Sequence, residues 1–319
     1  MARHVILGRR VIGSIVIGGP TASGKSSLAL HLAETCGGVI INADSMQLYR
    51  ELRIVTARPG QAEEARVAHR LYGVLAADQP GSAGRWLALA QAALEEACQG
   101  RPPVVVGGTG LYLHALLHGL AAVPPVTSAI RVAAAQLYDQ LGGPGFRALL
   151  RTRDPVTAAR LEAHDRQRLI RAYEVVTATG RSLAEWQARA PLRLVLPEPV
   201  VGLALVPPRA LLHARIADRL AAMIDAGALD ELEALSALRL APDLPLMKAV
   251  AVRELLAHVE GRLDLASALA RATVQTRRYA KRQLTWFRHQ MPELTPLPGF
   301  GDAPEILAEP AVAAIGRAC

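Results

Sequence analysis

The chain has only three cysteines in 319 residues, Cys36, Cys98 and Cys319. They are too scattered for a disulfide framework or for metal-ligand spacing, and a reducing cytoplasm suits them. Long apolar runs are also missing: the longest are strand-sized, short of the roughly 18 residues a membrane helix requires, which excludes a span. Arg3, Arg9 and Arg10 ahead of Val11–Ile17 imitate a secretory signal, but no small-residue cleavage site follows. No internal repeat with a period of about 20 to 50 residues is evident. Acid is in short supply, with 28 Asp and Glu against 36 Lys and Arg and a formal net charge of +8. That balance favours a polyanionic partner, because Lys and Arg near phosphates release counterions. A hydrophobic content of 51% is ample for a sizeable core in one large or two smaller domains.

What is present begins with Gly19-Pro20-Thr21-Ala22-Ser23-Gly24-Lys25-Ser26, the pattern of a phosphate-binding loop, after the β-branched run Val11–Ile17. In such a loop the glycines let backbone N–H groups converge on anionic oxygens, the lysine adds a point charge and the terminal hydroxyl ligates Mg²⁺. A helix is predicted to follow at once, with Leu28, Ala29 and Leu32 on its inner face and its N-terminal dipole toward the phosphates. The loop specifies a di- or triphosphate group without naming the molecule that carries it.

Val39–Ala43, Val104–Val106 and Val200–Val206 read as further buried strands, the first two each followed by a loop and a helical pattern. The alternation predicts an α/β fold, a parallel sheet with flanking helices. Ligands collect at the carboxyl ends of such strands, where the phosphate loop, Asp44 and Thr109 would all emerge. Around Val123–Pro125 the rhythm stops, and residues 128–189 carry helical periodicity alone, as in Leu169, Tyr173 and Val176. The division expected is residues 1–125 as the first part of the phosphate-loop core, 126–190 as an inserted all-helical domain, and 191–319 as the returning core, mostly helical after Pro208.

Two regions are basic. The insertion has nine arginines against five acids between Phe146 and Arg189, and Arg271–Arg288 has six basic residues and no acid. In the latter, Ala280, Leu284 and Phe287 form an apolar seam that leaves Arg278, Lys281, Arg282 and Arg288 outward. Together the two suggest walls of a nucleic-acid groove.

Asp44 directly follows its strand. It could bind Mg²⁺, cap a helix or serve as a general base. An ordinary phosphate-loop NTPase places an acid at the end of a buried strand to organise Mg²⁺ and water. Here the candidate strand ends in Gly107-Gly108-Thr109-Gly110-Leu111-Tyr112 instead. Thr109 suits the positioning of a bound group or the capping of a helix.

The motifs are joined in one order: the phosphate loop, Asp44-Ser45-Met46-Gln47-Leu48-Tyr49, Thr56-Ala57-Arg58-Pro59, the Gly107–Tyr112 segment, Gln167-Arg168-Leu169-Ile170-Arg171-Ala172 and Tyr279-Ala280-Lys281-Arg282-Gln283-Leu284-Thr285-Trp286-Phe287-Arg288. In that order, over roughly residues 12–290, the chain resembles the bacterial tRNA dimethylallyltransferases. The resemblance implies transfer of a dimethylallyl group from dimethylallyl diphosphate to the exocyclic amine of the adenine 3′ of the anticodon, in tRNAs that read U-initial codons. It implies a diphosphate cradle of Gly19, Thr21, Ala22, Ser23, Gly24, Lys25 and Ser26, with Mg²⁺ on Ser26 and Arg219 as a further ligand. Asp44 matches the family's general base and Thr109 a position lining the channel where the two substrates meet. Contacts to the anticodon stem-loop are implied for Asp44, Ser45, Met46, Gln47, Thr109, Arg131 and Gln167, Arg168, Leu169, Ile170 and Arg171. Arg278, Lys281 and Arg282 are expected to join them, in a monomeric cytoplasmic enzyme.

The chain departs from the family pattern at Arg58, where lysine is usual, at Gly73, where many members have an acid, and at Ala251-Val252, in place of a common Gly-Tyr. Two other readings share parts of the pattern. A nucleotide or small-molecule kinase would use the insertion as a lid over ATP, and a noncatalytic RNA-binding module would carry a vestigial phosphate loop.

Overall fold

The computed structural model describes residues 5–7, 10–97 and 99–302; Arg3, Arg9, Cys98 and Cys319 lie outside the described residues. The chain opens with β1 (Val5–Leu7), β2 (Arg10–Ile12), β3 (Ser14–Gly18), α1 (Lys25–Cys36), β4 (Val39–Asn42), α2 (Gln61–Arg66) and β5 (His69–Arg70). Next come α3 (Ala83–Ala97), β6 (Pro103–Gly107) and α4 (Gly110–His118), then the helices α5 (Ser128–Arg153), α6 (Pro155–Arg160), α7 (Arg166–Thr179) and α8 (Leu183–Gln187). The core resumes with β7 (Val200–Val206), α9 (Arg209–Asp225), α10 (Ala228–Ala237), α11 (Val252–Val259), α12 (Leu265–Gln290) and β8 (Thr295–Pro298).

Among the described residues the sheet has six strands in the order β5-β4-β6-β3-β7-β8, and every pairing is parallel. Its middle strands β3, β4 and β6 are buried along their whole length, the pattern of a sheet covered on both faces. Ile15, Ile17, Val104, Val106 and Leu203 pack on Leu28, Ala29 and Leu32 of α1, the inner face expected for that helix. The register sets the strand ends level: Asn42 pairs with Val106, and Gly107 with Gly18. Loops leaving β4, β6 and β3 therefore start side by side.

One expectation is corrected here. Val11–Ile17 is not one strand: it breaks at Gly13, where a Cβ would lie 2.2 Å from the backbone of Glu198, and β2 pairs antiparallel with β1 while Ser14–Gly18 enters the sheet. The Ser14 hydroxyl donates to the Pro197 carbonyl and its N–H to the Pro199 carbonyl, which fixes the crossing. Two edge strands were not legible. β5 is two residues long, and β8 reads Thr-Pro-Leu-Pro, a composition tolerated because an edge strand leaves N–H groups unpaired on one side.

The chain divides into two compact units, one of the described residues up to Leu117 and from Leu194 onward, the other His118–Arg193. The second is helical. Phe146, Leu150, Ala158, Leu161, Leu169, Ala172 and Val176 form its core, and α5 kinks at Gly142, whose φ of 65° falls just before Pro144. Leu120 and Leu192 pair where its two ends meet. In the first unit Ala251 holds φ 71° ahead of α11, a left-handed value that costs any residue but glycine about 1–2 kcal/mol. Val252 is wholly buried, so its position faces packing rather than a ligand.

Candidate functional site

From Gly18 the chain turns through Gly19–Gly24 into α1 at Lys25, as a phosphate loop requires. Gly24 sits at φ 80° and Ala22 at φ 62°, while the Ser23 N–H donates to the Pro20 carbonyl. Gly24 is needed for space as well: a Cβ there would lie 2.6 Å from the Asp302 nitrogen. Ser26 is exposed, Thr21 and Lys25 are half-buried, and the buried Ser23 hydroxyl has no hydrogen-bond partner. Loss of hydration pulls the Lys25 ammonium down to about 8, opposed by Asp44 and reinforced by Arg219. The same neighbours act on Arg219, which burial lowers and Asp44 raises. These two cations and one carboxylate thus share a field at the mouth of the loop. Arg215, one turn earlier in α9, is turned to the segment after β8 instead, bonded to Asp302 at 2.5 Å and lying over the Phe300 ring.

Asp44 leaves β4 two residues after Asn42, which scaffolds it from several directions. The Asn42 amide accepts from the Asp44 N–H at 2.8 Å and donates to the carbonyls of Asp44 and Leu71, and the Asn42 carbonyl accepts from the buried Trp86 indole. Trp86 in turn stacks on Tyr112, with ring centroids 4.8 Å apart. Asp44 caps no helix: its Oδ1 accepts from the Met46 N–H in a tight turn, and Oδ2 lies toward Gly108. Burial and the Asp44 charge both raise the phenols of Tyr72, Tyr112 and Tyr279, which keeps them protonated around it.

Thr109 precedes α4 but does not cap it with its side chain. Its hydroxyl accepts from the Ser45 N–H at 2.9 Å and donates to the Ser45 hydroxyl at 3.1 Å, tying the β6 loop to the Asp44 loop. Gln47 is buried, and its amide donates to the carbonyls of Thr56 and Ala57, so this side chain is spent on holding its own loop. Met46 is half-buried beside it.

On α12 the expected exposure of Arg278, Lys281, Arg282 and Arg288 is present. The buried seam runs through Ala272, Thr276, Ala280, Gln283 and Phe287, with Leu284 only half-buried. In the helical unit Arg131, Gln167 and Arg168 are exposed, Arg168 pairs with Asp165 and Arg171 with Glu174. Leu169 is corrected: its side chain has no exposed surface and belongs to the unit's core, against which Ile170 also packs.

Sequence reasoning missed Asn42, Trp86 and Gln283 as parts of the site. Only Gln283 carried a signal, a polar residue at the heptad-like position between Ala280 and Phe287 on the inner stripe of α12.

The chain is similar to known proteins over most of its length. The family model described as IPP transferase matches residues 47–290, and one described as isopentenyl transferase matches 13–78. A tRNA dimethylallyltransferase of Nitrobacter hamburgensis is 52% identical over 281 residues, 88% of this chain and 89% of the relative. One of Rhodospirillum centenum is 53% identical over 280 residues, 87% of this chain and 88% of its own. Among solved structures, the full-length tRNA isopentenylpyrophosphate transferase of Bacillus halodurans superposes with a TM-score of 0.66 at 28% identity, covering 96% of this chain and 97% of its own.

Proposed function

The chain belongs to the tRNA dimethylallyltransferase family, and on that premise we propose that it moves a dimethylallyl group from dimethylallyl diphosphate to the exocyclic amine of the adenine 3′ of the anticodon in tRNAs reading U-initial codons. The amine nitrogen attacks the allylic carbon, the carbon–oxygen bond to diphosphate breaks, and the amine proton passes to Asp44. One observation carries the reading: the Asp44 carboxylate shares the mouth of the phosphate loop with Lys25 and Arg219. An anionic leaving group and a proton acceptor are thereby served from one crevice at the ends of three adjacent strands.

Lys25, Arg219 and the backbone N–H groups of Gly24, Lys25 and Ser26 at the start of α1 stabilise charge that develops on the diphosphate, which is where fixed donors lower a barrier most. Thr109 and Ser45, joined by their hydroxyls, set the wall on the adenine side. Among the described residues no three His, Cys, Asp or Glu side chains cluster as a metal site. The exposed Ser26 hydroxyl, at the phosphate-loop position that ligates Mg²⁺, would hold the ion together with diphosphate oxygens, an oxygen-rich set suited to it. Bound there, Mg²⁺ supplies further neutralisation of the leaving group. No water needs activation, which agrees with Gly107–Thr109 in the place of an NTPase carboxylate.

The exposed bases of α12 and, separately, those of the helical unit hold the anticodon stem-loop while the target base leaves its stack. A tRNA substrate supports a cytoplasmic location, and the enzyme is proposed to act as a monomer. No helix among the described residues is long and apolar enough to cross a membrane.

The test is transfer of labelled dimethylallyl from its diphosphate to unmodified tRNA with adenine 3′ of the anticodon, in the presence of Mg²⁺, beside an ATP-hydrolysis control. Label in that adenine without ATP turnover is expected. ATP consumption without label would replace the reading with a kinase, and tRNA binding with neither activity would replace it with an RNA-binding module.

A further inference from the structure

Gln283 lies on the buried face of α12, opposite the exposed bases, and only 5% of its surface is accessible. Its two amide atoms are spent on different loops. Oε1 accepts from the Thr21 N–H of the phosphate loop at 2.8 Å, and Nε2 donates to the Gly108 carbonyl at 2.8 Å. These loops leave neighbouring strands, β3 and β6, and among the hydrogen bonds of the described residues this single side chain joins them beyond the strand ends. The space above Gly108 is filled from both sides: a Cβ built there would lie 2.3 Å from Gln283 Nε2 and 3.2 Å from Asp44 Oδ2. Below it, Phe287 presses on Gly18 and Trp286 on Gly110, where a Cβ would meet their rings at 2.7 and 2.1 Å. The helix is seated on glycines at the end of β3, in the loop after β6 and at the start of α4, and Gln283 is the polar link of that seat.

We propose that Gln283 is a positioning residue for the transfer reaction, a strut that fixes the distance between the diphosphate cradle and the Asp44–Thr109 wall. The inference rests on the function proposed above. Transfer between two bound groups depends steeply on their separation, and a displacement of about 1 Å is enough to lower turnover about a hundredfold. The Thr21 N–H is held in place by the strut instead of drifting in a glycine-bearing loop, and Gly108 is held against Asp44. Donor and acceptor are both required, and the uncharged amide supplies them, an oxygen for the N–H on one side and an N–H for the carbonyl on the other. A glutamate keeps the first bond, loses the second, and brings a negative charge toward the Asp44 carboxylate.

The experiment compares Gln283→Met, which keeps length and apolar packing, and Gln283→Glu with wild type in steady-state transfer, tRNA binding, thermal melting and kcat against pH. Expected for Gln283→Met is a fall in kcat of about ten- to a hundredfold, with tRNA affinity kept because the outer face of α12 is untouched. Expected for Gln283→Glu is a comparable fall together with an acid limb of the kcat profile moved to higher pH, since a like charge raises the pKa of the proton acceptor. Turnover unchanged in Gln283→Met would overturn the proposal. So would losses of kcat, tRNA binding and melting temperature in parallel, or an unmoved pH limb in a folded Gln283→Glu, each of which marks a packing role only. Wild type in the same assay reports separately on the transferase activity itself: no transfer by wild type refutes the function, whereas transfer by wild type with unaltered variants refutes only the strut.

Discussion

The Arg58 guanidinium occupies the space above Gly73 so closely that a Cβ at Gly73 would lie 2.5–2.7 Å from its nitrogens and central carbon. Gly73 itself holds φ 61°, and Arg58 reaches on to the carbonyls of Tyr49 and Arg50. Arg58 and Gly73 were separate departures from the family pattern; in space they are one arrangement, because this arginine pose leaves no room for a side chain at residue 73. Gly73→Ala should therefore destabilise the fold by about 1–3 kcal/mol, from the left-handed backbone and the displaced guanidinium together. In urea denaturation a double-mutant cycle with Arg58→Ala should show coupling, the second change relieving the steric part of the first. Additive losses would separate the two residues again.

Asp44→Asn keeps an oxygen to accept from the Met46 N–H but removes the proton acceptor. Turnover should fall by about 10²–10⁴ while tRNA affinity, measured by filter binding, stays near wild type. Equal loss of both would assign Asp44 to binding.

Lys25 loses its charge at a lower pH than an ordinary lysine, at about 8. In the free enzyme, kcat/KM for the allylic diphosphate should decline as pH rises through that value, as the ammonium becomes neutral. Lys25→Arg should carry the limb to higher pH, whatever its effect on the maximum. Unfolding does not imitate this limb through Lys25: its folded pKa is below its unfolded one, so above about 8 the unfolded chain binds more protons and this group's contribution to stability rises with pH. A rate profile flat up to pH 9.5 or so would show that Lys25 stays charged or is not needed.

Replacing Arg278, Lys281 and Arg282 together by alanine should weaken tRNA binding and reduce the slope of log K against log salt by about 2–3, near one per lost phosphate contact. All three are exposed on α12 and away from its buried seam, so melting should change little. An unaltered slope would return them to ordinary solvated surface.

The order of motifs along the chain determined the family, the phosphate loop and the α/β class, because each depends on local spacing: glycines at fixed intervals, a β-branched run before them, helical periodicity after them. The position of Asp44 at a strand end was legible for the same reason. Sequence alone could not seat Thr109, whose hydroxyl bonds Ser45 rather than its own helix, nor separate Leu169 from its exposed neighbours Gln167 and Arg168. Nor could it break Val11–Ile17 at Gly13, a glycine required by a backbone far along the chain. Gln283 makes the contrast plainest. Its spacing puts it on one face of a helix, but its bonds go to Thr21 and Gly108, and only the parallel order of β3 beside β6 brings those two within reach of one amide. Local periodicity is written in neighbouring residues; long-range hydrogen bonding depends on which strands lie side by side, and that is settled when the sheet assembles.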